Sequence, residues 1–108
     1  MYNDIKRLST ATQQLASAAA VIYTAPAGKR AQICTILLHN TNTTNELVSV
    51  FDDGSGVANR LLFALLVPGD TMEFSPKVPI VLEGAETLQA FSTTAAKVNV
   101  KIYGREQA

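Results

Sequence analysis

From residue 97 to residue 103 the chain alternates polar and apolar side chains, with Val98, Val100 and Ile102 in phase. A two-residue period puts those three on one side of a β-strand and leaves Asn99 and Lys101 wet on the other. Residues 47–51 and 71–74 repeat the pattern less cleanly. Turn chemistry separates the strands: Ala25-Pro26-Ala27-Gly28, residues 40–45, Asp52-Asp53-Gly54-Ser55-Gly56, Pro68-Gly69-Asp70, Ser75-Pro76-Lys77, Glu83-Gly84-Ala85 and Thr93-Thr94-Ala95. Breakers every ~8–12 residues between short runs of Val, Ile, Leu, Phe and Thr predict a sandwich or barrel of antiparallel strands.

Two runs break the alternation. Residues 33–38 and 61–67 are apolar at nearly every position, which fits either a strand covered on both faces or a helix. Leu and Ala are good helix formers. For residues 61–67 the short length and the flanking Asn59 and Pro68-Gly69 favour a strand. A strand in a two-layer sandwich turns one face outward, so an unbroken run leaves Leu or Phe on the surface. Leu62, Phe63, Leu65 and Leu66 are therefore candidate interface residues. Three such side chains expose roughly a few hundred Å², the size at which a patch marks an interface. The alternative is that a loop or the N-terminal segment covers the run.

Residues 9–20 are small and polar apart from Leu15. So little burial offsets poorly the entropy of ordering. Residues 1–20 are accordingly expected to form an extended arm ahead of a sandwich domain spanning 21–108. Leu15 is its one candidate contact, either with a neighbouring subunit or along an edge of its own domain.

Hydrophobic residues make up 47% of the chain and charged residues only 17%, below the usual quarter. Such a chain keeps a weakly polar surface, tolerable where partners cover it. Nine basic and nine acidic residues cancel to a formal net charge of zero. With no field to concentrate phosphate, nucleic acid is not an expected partner, and repulsion between copies is absent. Cys34, the single cysteine, lies in an apolar run and is expected to be a buried, inert thiol. No apolar run approaches the ~18 residues of a membrane-spanning helix. The start of the chain leads to no apolar signal core, so a soluble protein made in the cytoplasm and not exported by a cleaved signal is expected.

Catalytic chemistry is hard to assemble from these residues. His39 is the only histidine and has no nucleophile in a suitable context beside it. One Cys and one His cannot make a zinc tetrad. Residues 52–56 carry acids and glycines but lack the spaced oxygens and closing glutamate of a calcium loop, and read as a turn. Gly54-Ser55-Gly56 has no following Lys-Ser/Thr pair, so it is no phosphate loop. Tyr and Phe are scattered and form no stacking platform. Neither an enzyme nor a cofactor nor a metal is expected.

Taken together, residues 22–31, containing Tyr23-Thr24-Ala25-Pro26-Ala27-Gly28-Lys29, followed by Ile36-Leu37-Leu38-His39-Asn40-Thr41, resemble a recurrent pattern of phage virion proteins. Leu66-Val67-Pro68-Gly69-Asp70-Thr71 and then residues 79–90 (PIVLEGAETLQA) are similar to the hairpins of the same families, and residues 98–104 to their final strand. The resemblance covers about residues 21–104. Each element is ordinary hairpin grammar, and the order gives the match its weight. It implies a β-sandwich structural protein of tailed-phage particles, often trimeric, with no catalytic residues. The expectation is an all-β, jelly-roll-like antiparallel sandwich of about eight strands with an N-terminal arm. Its first expected role is a capsid decoration (cement) protein of the virion. It would form a homo-oligomer, a trimer first, and bind the major capsid protein or other virion proteins, with no nucleic acid and no membrane. A tail or head-fibre component, or a carbohydrate-binding host-recognition module, are the alternatives. The absence of Trp counts against the last.

Overall fold

A computed structural model describes residues 4–107. These residues form nine strands: β1 (Lys6–Arg7), β2 (Ala20–Thr24), β3 (Arg30–Asn40), β4 (Glu46–Asp52), β5 (Arg60–Leu66), β6 (Thr71–Phe74), β7 (Ile80–Leu82), β8 (Thr87–Ser92) and β9 (Val98–Gln107). One 3₁₀ turn, Val57–Asn59, precedes β5. The described residues contain no helix long and apolar enough to cross a membrane.

The pairings nest. β4 pairs with β5, β3 with β6, β2 with β8 and β1 with β9, all antiparallel. The chain is thus a long double ribbon folded over on itself, and β3·β9 and β4·β8 contacts close it into two sheets. Their orders are β1-β9-β3-β6 and β2-β8-β4-β5, the jelly-roll arrangement, with β7 added beside β3. The all-β sandwich read from the sequence is therefore the fold, and residues 61–66 of the apolar run fall on a strand rather than a helix.

The core lies between the sheets. Val98, Val100 and Ile102 of β9, Ile33, Ile36 and Leu38 of β3, and Val48 and Val50 of β4 all point into it and are fully buried. β3 keeps three core residues in phase through a bulge between Ile33 and Thr35. Cys34 is the extra residue there and is half-buried rather than buried, because the bulge turns it off the inward row. Gly104 of β9 sits opposite Ile33, and a Cβ there would run into the backbone carbonyl of Gln32.

The glycines of the turns serve different ends. Gly28 and Gly69 adopt positive φ, 75° and 78°, as their turns require. In the β7–β8 turn, however, Ala85 takes the left-handed conformation (φ 70°). Gly84 is there for space, since a Cβ would lie 2.9 Å from the backbone nitrogen of Gly28.

The N-terminal segment is not a free arm. Leu8 N–H donates to Ile102, Val100 N–H to Gln13, Leu15 N–H to Val98, Ala96 N–H to Leu15 and Ser92 N–H to Ala16. The segment therefore crosses from β9 in one sheet to β8 in the other and seals one side of the sandwich. Leu15, expected to contact either a neighbouring subunit or an edge of its own domain, does the latter: it is 1% exposed and part of the core, not an interface residue. A single large apolar side chain suffices to anchor a short segment whose backbone is otherwise satisfied. Residues 1–3 of the expected arm lie outside the described residues.

Candidate interface on the outer face of the β2-β8-β4-β5 sheet

On β5 the alternation of burial sorts the apolar run into two faces. Leu62 and Ala64 pack against the core and Leu66 is fully buried. Phe63 and Leu65 point outward, 58% and 53% exposed, and Leu61 and Val67 are exposed beside them. Of the expected interface residues, the structure leaves Phe63 and Leu65 on the surface. Leu62, Leu66 and Leu15 belong inside, because a strand at the sheet edge still gives every second residue to the interior.

Neighbouring strands extend the outward set in rows. Phe63 stands opposite Ser49 of β4, which stands opposite Phe91 of β8. Leu65 stands opposite Leu47, itself exposed. Arg60 stands opposite Phe51, which stands opposite Gln89. A bulge between Val50 and Phe51 lets Arg60 reach across this face. Its guanidinium carbon lies 4.7 Å from the ring centroid of Phe63 and 5.8 Å from that of Phe51. Phe51 in turn stacks on Phe91, with centroids 5.8 Å apart and planes inclined by 16°. Phe51 is 1% exposed yet is no member of the core between the sheets. It is the floor of a second, smaller cluster on the outside of the sandwich, roofed by Arg60, Phe63 and Phe91.

This outer cluster holds two unpaired polar atoms. Ser49 Oγ and Arg60 Nε are buried and have no hydrogen-bond partner among the described residues. Buried polar atoms are normally satisfied, and exceptions call for a reason. Here both sit on one face, among aromatic rings, next to the largest exposed apolar side chains of β5. Sequence reasoning picked out the run on β5 but not Phe51, Phe91 or Arg60, because the rows that unite them depend on the β4 register.

The opposite face of the sandwich is polar. A groove of about 280 Å³ is lined by Leu37, His39, Thr71, Asn99 and Lys101. His39 Nδ1 and Thr71 Oγ1 share a 2.7 Å hydrogen bond, and Gln14 donates to Asn99 Oδ1. No carboxylate or thiol lines this groove, and the Thr71 hydroxyl is the partner of the His39 ring there. A second hollow of about 290 Å³ lies among Gly28, Lys29, Arg30, Glu83 and Gln107, where Arg30 Nε pairs with Glu83 Oε1 at 3.0 Å. The described residues contain no cluster of His, Cys, Asp and Glu able to hold a metal ion.

No family model matches the sequence, and no curated protein matches it. Among solved structures, the chain is similar to the subunit in a structure of Bacillus endospore appendages, described as a family of disulfide-linked pili. The TM-score is 0.54 at 17% identity over 97% of this chain and 85% of that one. It is also similar, at TM-score 0.48 and 18% identity over 96% of this chain and 98% of that one, to the NLP core of Drosophila, described in terms of pentamer formation and histone binding. At such identities the first likeness speaks to the fold alone, and the second, looser one carries no argument.

Proposed function

We propose that the protein is a structural subunit that works by docking, and that its place is in the particle of a tailed phage, with capsid decoration as the first role. The observation that carries the docking role is the outer face of the β2-β8-β4-β5 sheet. There Leu47, Phe63 and Leu65 are exposed together around an aromatic cluster containing two unsatisfied polar atoms. Contiguous apolar surface of roughly a few hundred Å² on a small soluble domain is the mark of an interaction site. A partner that brings apolar side chains to Phe63 and Leu65, and hydrogen-bonding groups to Ser49 and Arg60, would complete what this face lacks.

The phage assignment draws on the ordered resemblance of residues 21–104 to virion sandwich proteins, and the jelly-roll topology is compatible with it. Within that reading the partners are the major capsid protein or other virion proteins. A particle presenting many equivalent sites adds avidity to a modest single contact. Particles purified from the lysate in which the chain is made test the assignment. Mass spectrometry should find it at a fixed copy number per particle, and cryo-electron microscopy should place a nine-stranded sandwich on the shell with β5 against the neighbour. Particles devoid of the chain would defeat the virion reading.

A further inference from the structure

Five strands lie at the lateral edges of the two sheets, β1, β2, β5, β6 and the three-residue β7, and all but β5 are short or blunted. β1 is two residues long. β2 carries a bulge between Val21 and Tyr23, and Gln13 Nε2 occupies the Ile22 carbonyl. β6 bears Glu73, hydrogen-bonded to Ser75. Exposed edges are normally protected by such devices, because unpaired backbone groups invite another strand. β5 ends its sheet with no strand beyond it among the described residues, and from Leu61 to Val67 it has neither a charge nor a proline.

The register shows which β5 groups are free. Thr93 N–H donates to the Leu47 carbonyl at 3.1 Å, and Leu47 N–H donates to Thr93 Oγ1 at 3.0 Å, so both backbone groups of Leu47 face β8. Leu65, directly opposite Leu47, is then in a pair that exchanges no backbone bonds, and its own N–H and C=O point off the sheet edge. Phe63, two residues away in a regular stretch, points the same way. The bulge at Leu61 limits the usable edge to residues 62–66.

That short edge is complementary to itself. We infer that β5 pairs antiparallel with β5 of a second copy about a twofold axis at Ala64, joining two four-stranded sheets into one of eight strands. Phe63 then meets Leu65 of the second copy, and each such pair exchanges both backbone hydrogen bonds. Leu62 meets Leu66 on the inner side, and the small Ala64 sits at the axis. The same side of the sandwich is where the core is least closed, since Leu62, Ala64, Met72 and Phe74 of β5 and β6 are only partly buried. Zero net charge leaves nothing to keep the copies apart. The pairing also sets two outer aromatic clusters side by side and doubles the docking face. It takes its purpose from the assembly role proposed above, but it is a property of the isolated protein.

The test is sedimentation velocity on the full chain, with chemical cross-linking to fix the register. Wild-type protein should be a dimer at micromolar concentration, and Leu65→Lys, which places a charge on an exposed position of the edge, should be a monomer with unchanged circular dichroism. In a Cys34→Ser background, Ala64→Cys should give a disulfide-linked dimer on mild oxidation, because residues opposed across such an axis bring their Cα atoms to about 4.5–5.5 Å. Val57→Cys, exposed but outside β5, should not cross-link. A wild-type monomer, a trimer as the phage resemblance implies, or a dimer lacking the Ala64→Cys cross-link would each overturn the pairing. A monomer that still enters particles would do so while leaving the docking role intact.

Discussion

The Tyr23 hydroxyl donates a 2.6 Å hydrogen bond to Glu106 Oε2, tying β2 of one sheet to β9 of the other. Lys6 of β1 lies 3.2 Å from the second carboxylate oxygen, so three strands meet at one carboxylate. Burial, and then the Glu106 carboxylate, raise the Tyr23 hydroxyl well above its ordinary value. The bond from Tyr23 holds Glu106 below the usual glutamate value, with burial opposing and Lys6 assisting.

These directions fix a pH dependence. The lowered Glu106 contributes stability that is full above its ordinary value of 4.5 and is lost as the pH falls through the lowered one. The raised Tyr23 contributes stability that is full below 10.0 and is lost as the pH rises toward its raised value. Asp52, raised by burial and by Glu86 and Asp53, opposes the trend in acid. Tyr23→Phe should therefore lower the thermal midpoint by an amount that is constant from about pH 5 to 9 and shrinks in acid, where the carboxylate is protonated. Thermal melts of both proteins across that range check this, and a difference that grows in acid would refute it.

Asn40 and Glu46 hold the loop between β3 and β4. Asn40 is fully buried. It donates from Nδ2 to the Thr44 and Leu66 carbonyls, accepts from Asn42 N–H at Oδ1, and exchanges backbone bonds with Asp70 and Gly69. Burial pushes the Glu46 carboxyl up, but bonds from Asn42 and Thr94 outweigh it and hold the group below its ordinary value. Asn40→Ala leaves several buried groups unpaired, so it should cost about 3 kcal/mol in denaturant unfolding. A loss under about 1 kcal/mol would mean that the loop is held by other contacts.

Gly104→Ala should be among the most damaging small substitutions. The added methyl meets the Gln32 carbonyl across the β3–β9 ladder, and backbone on both sides cannot yield. Poor expression or a thermal midpoint lowered by at least 10 °C is expected. Gly28→Ala, where nothing lies within 4 Å of the new Cβ but φ is 75°, should cost only about 1 kcal/mol.

Ser49→Ala removes an unpartnered hydroxyl from beneath Phe63 and Phe91. The isolated protein should be as stable as wild type or more so, since an unsatisfied buried group is lost. If the hydroxyl serves a partner, the same variant should bind its assembly more weakly. A thermal midpoint lowered by several degrees would show that Ser49 is already satisfied within the subunit.

The sandwich and most of its strands were legible in the sequence because alternation and turn residues act locally. Residues 98–102 announce their strand, and Pro68-Gly69 ends another. Whether the N-terminal segment docks on its own domain or on a neighbour was not legible, since its bonds to β8 and β9 are made by backbone groups that carry no side-chain signal. Leu15 was a clue of the opposite sense: one large apolar residue in a polar segment anchors it inward. Nor does periodicity reveal a buried Asn40 or Glu46, whose partners come from turns rather than neighbouring strand positions. On β5 the apolar run stood out in the sequence, but which half faces water depends on phase, and phase is set by pairing with β4.

Leu65→Asp and Leu66→Asp, adjacent substitutions on opposite faces of β5, test the central claim most directly. Thermal melting and copy number in purified particles should be measured for both. Leu65→Asp should melt within a few degrees of wild type and be depleted from particles at least tenfold, while Leu66→Asp should fail to fold. Normal incorporation of a folded Leu65→Asp protein would contradict the assignment of this face as the docking surface.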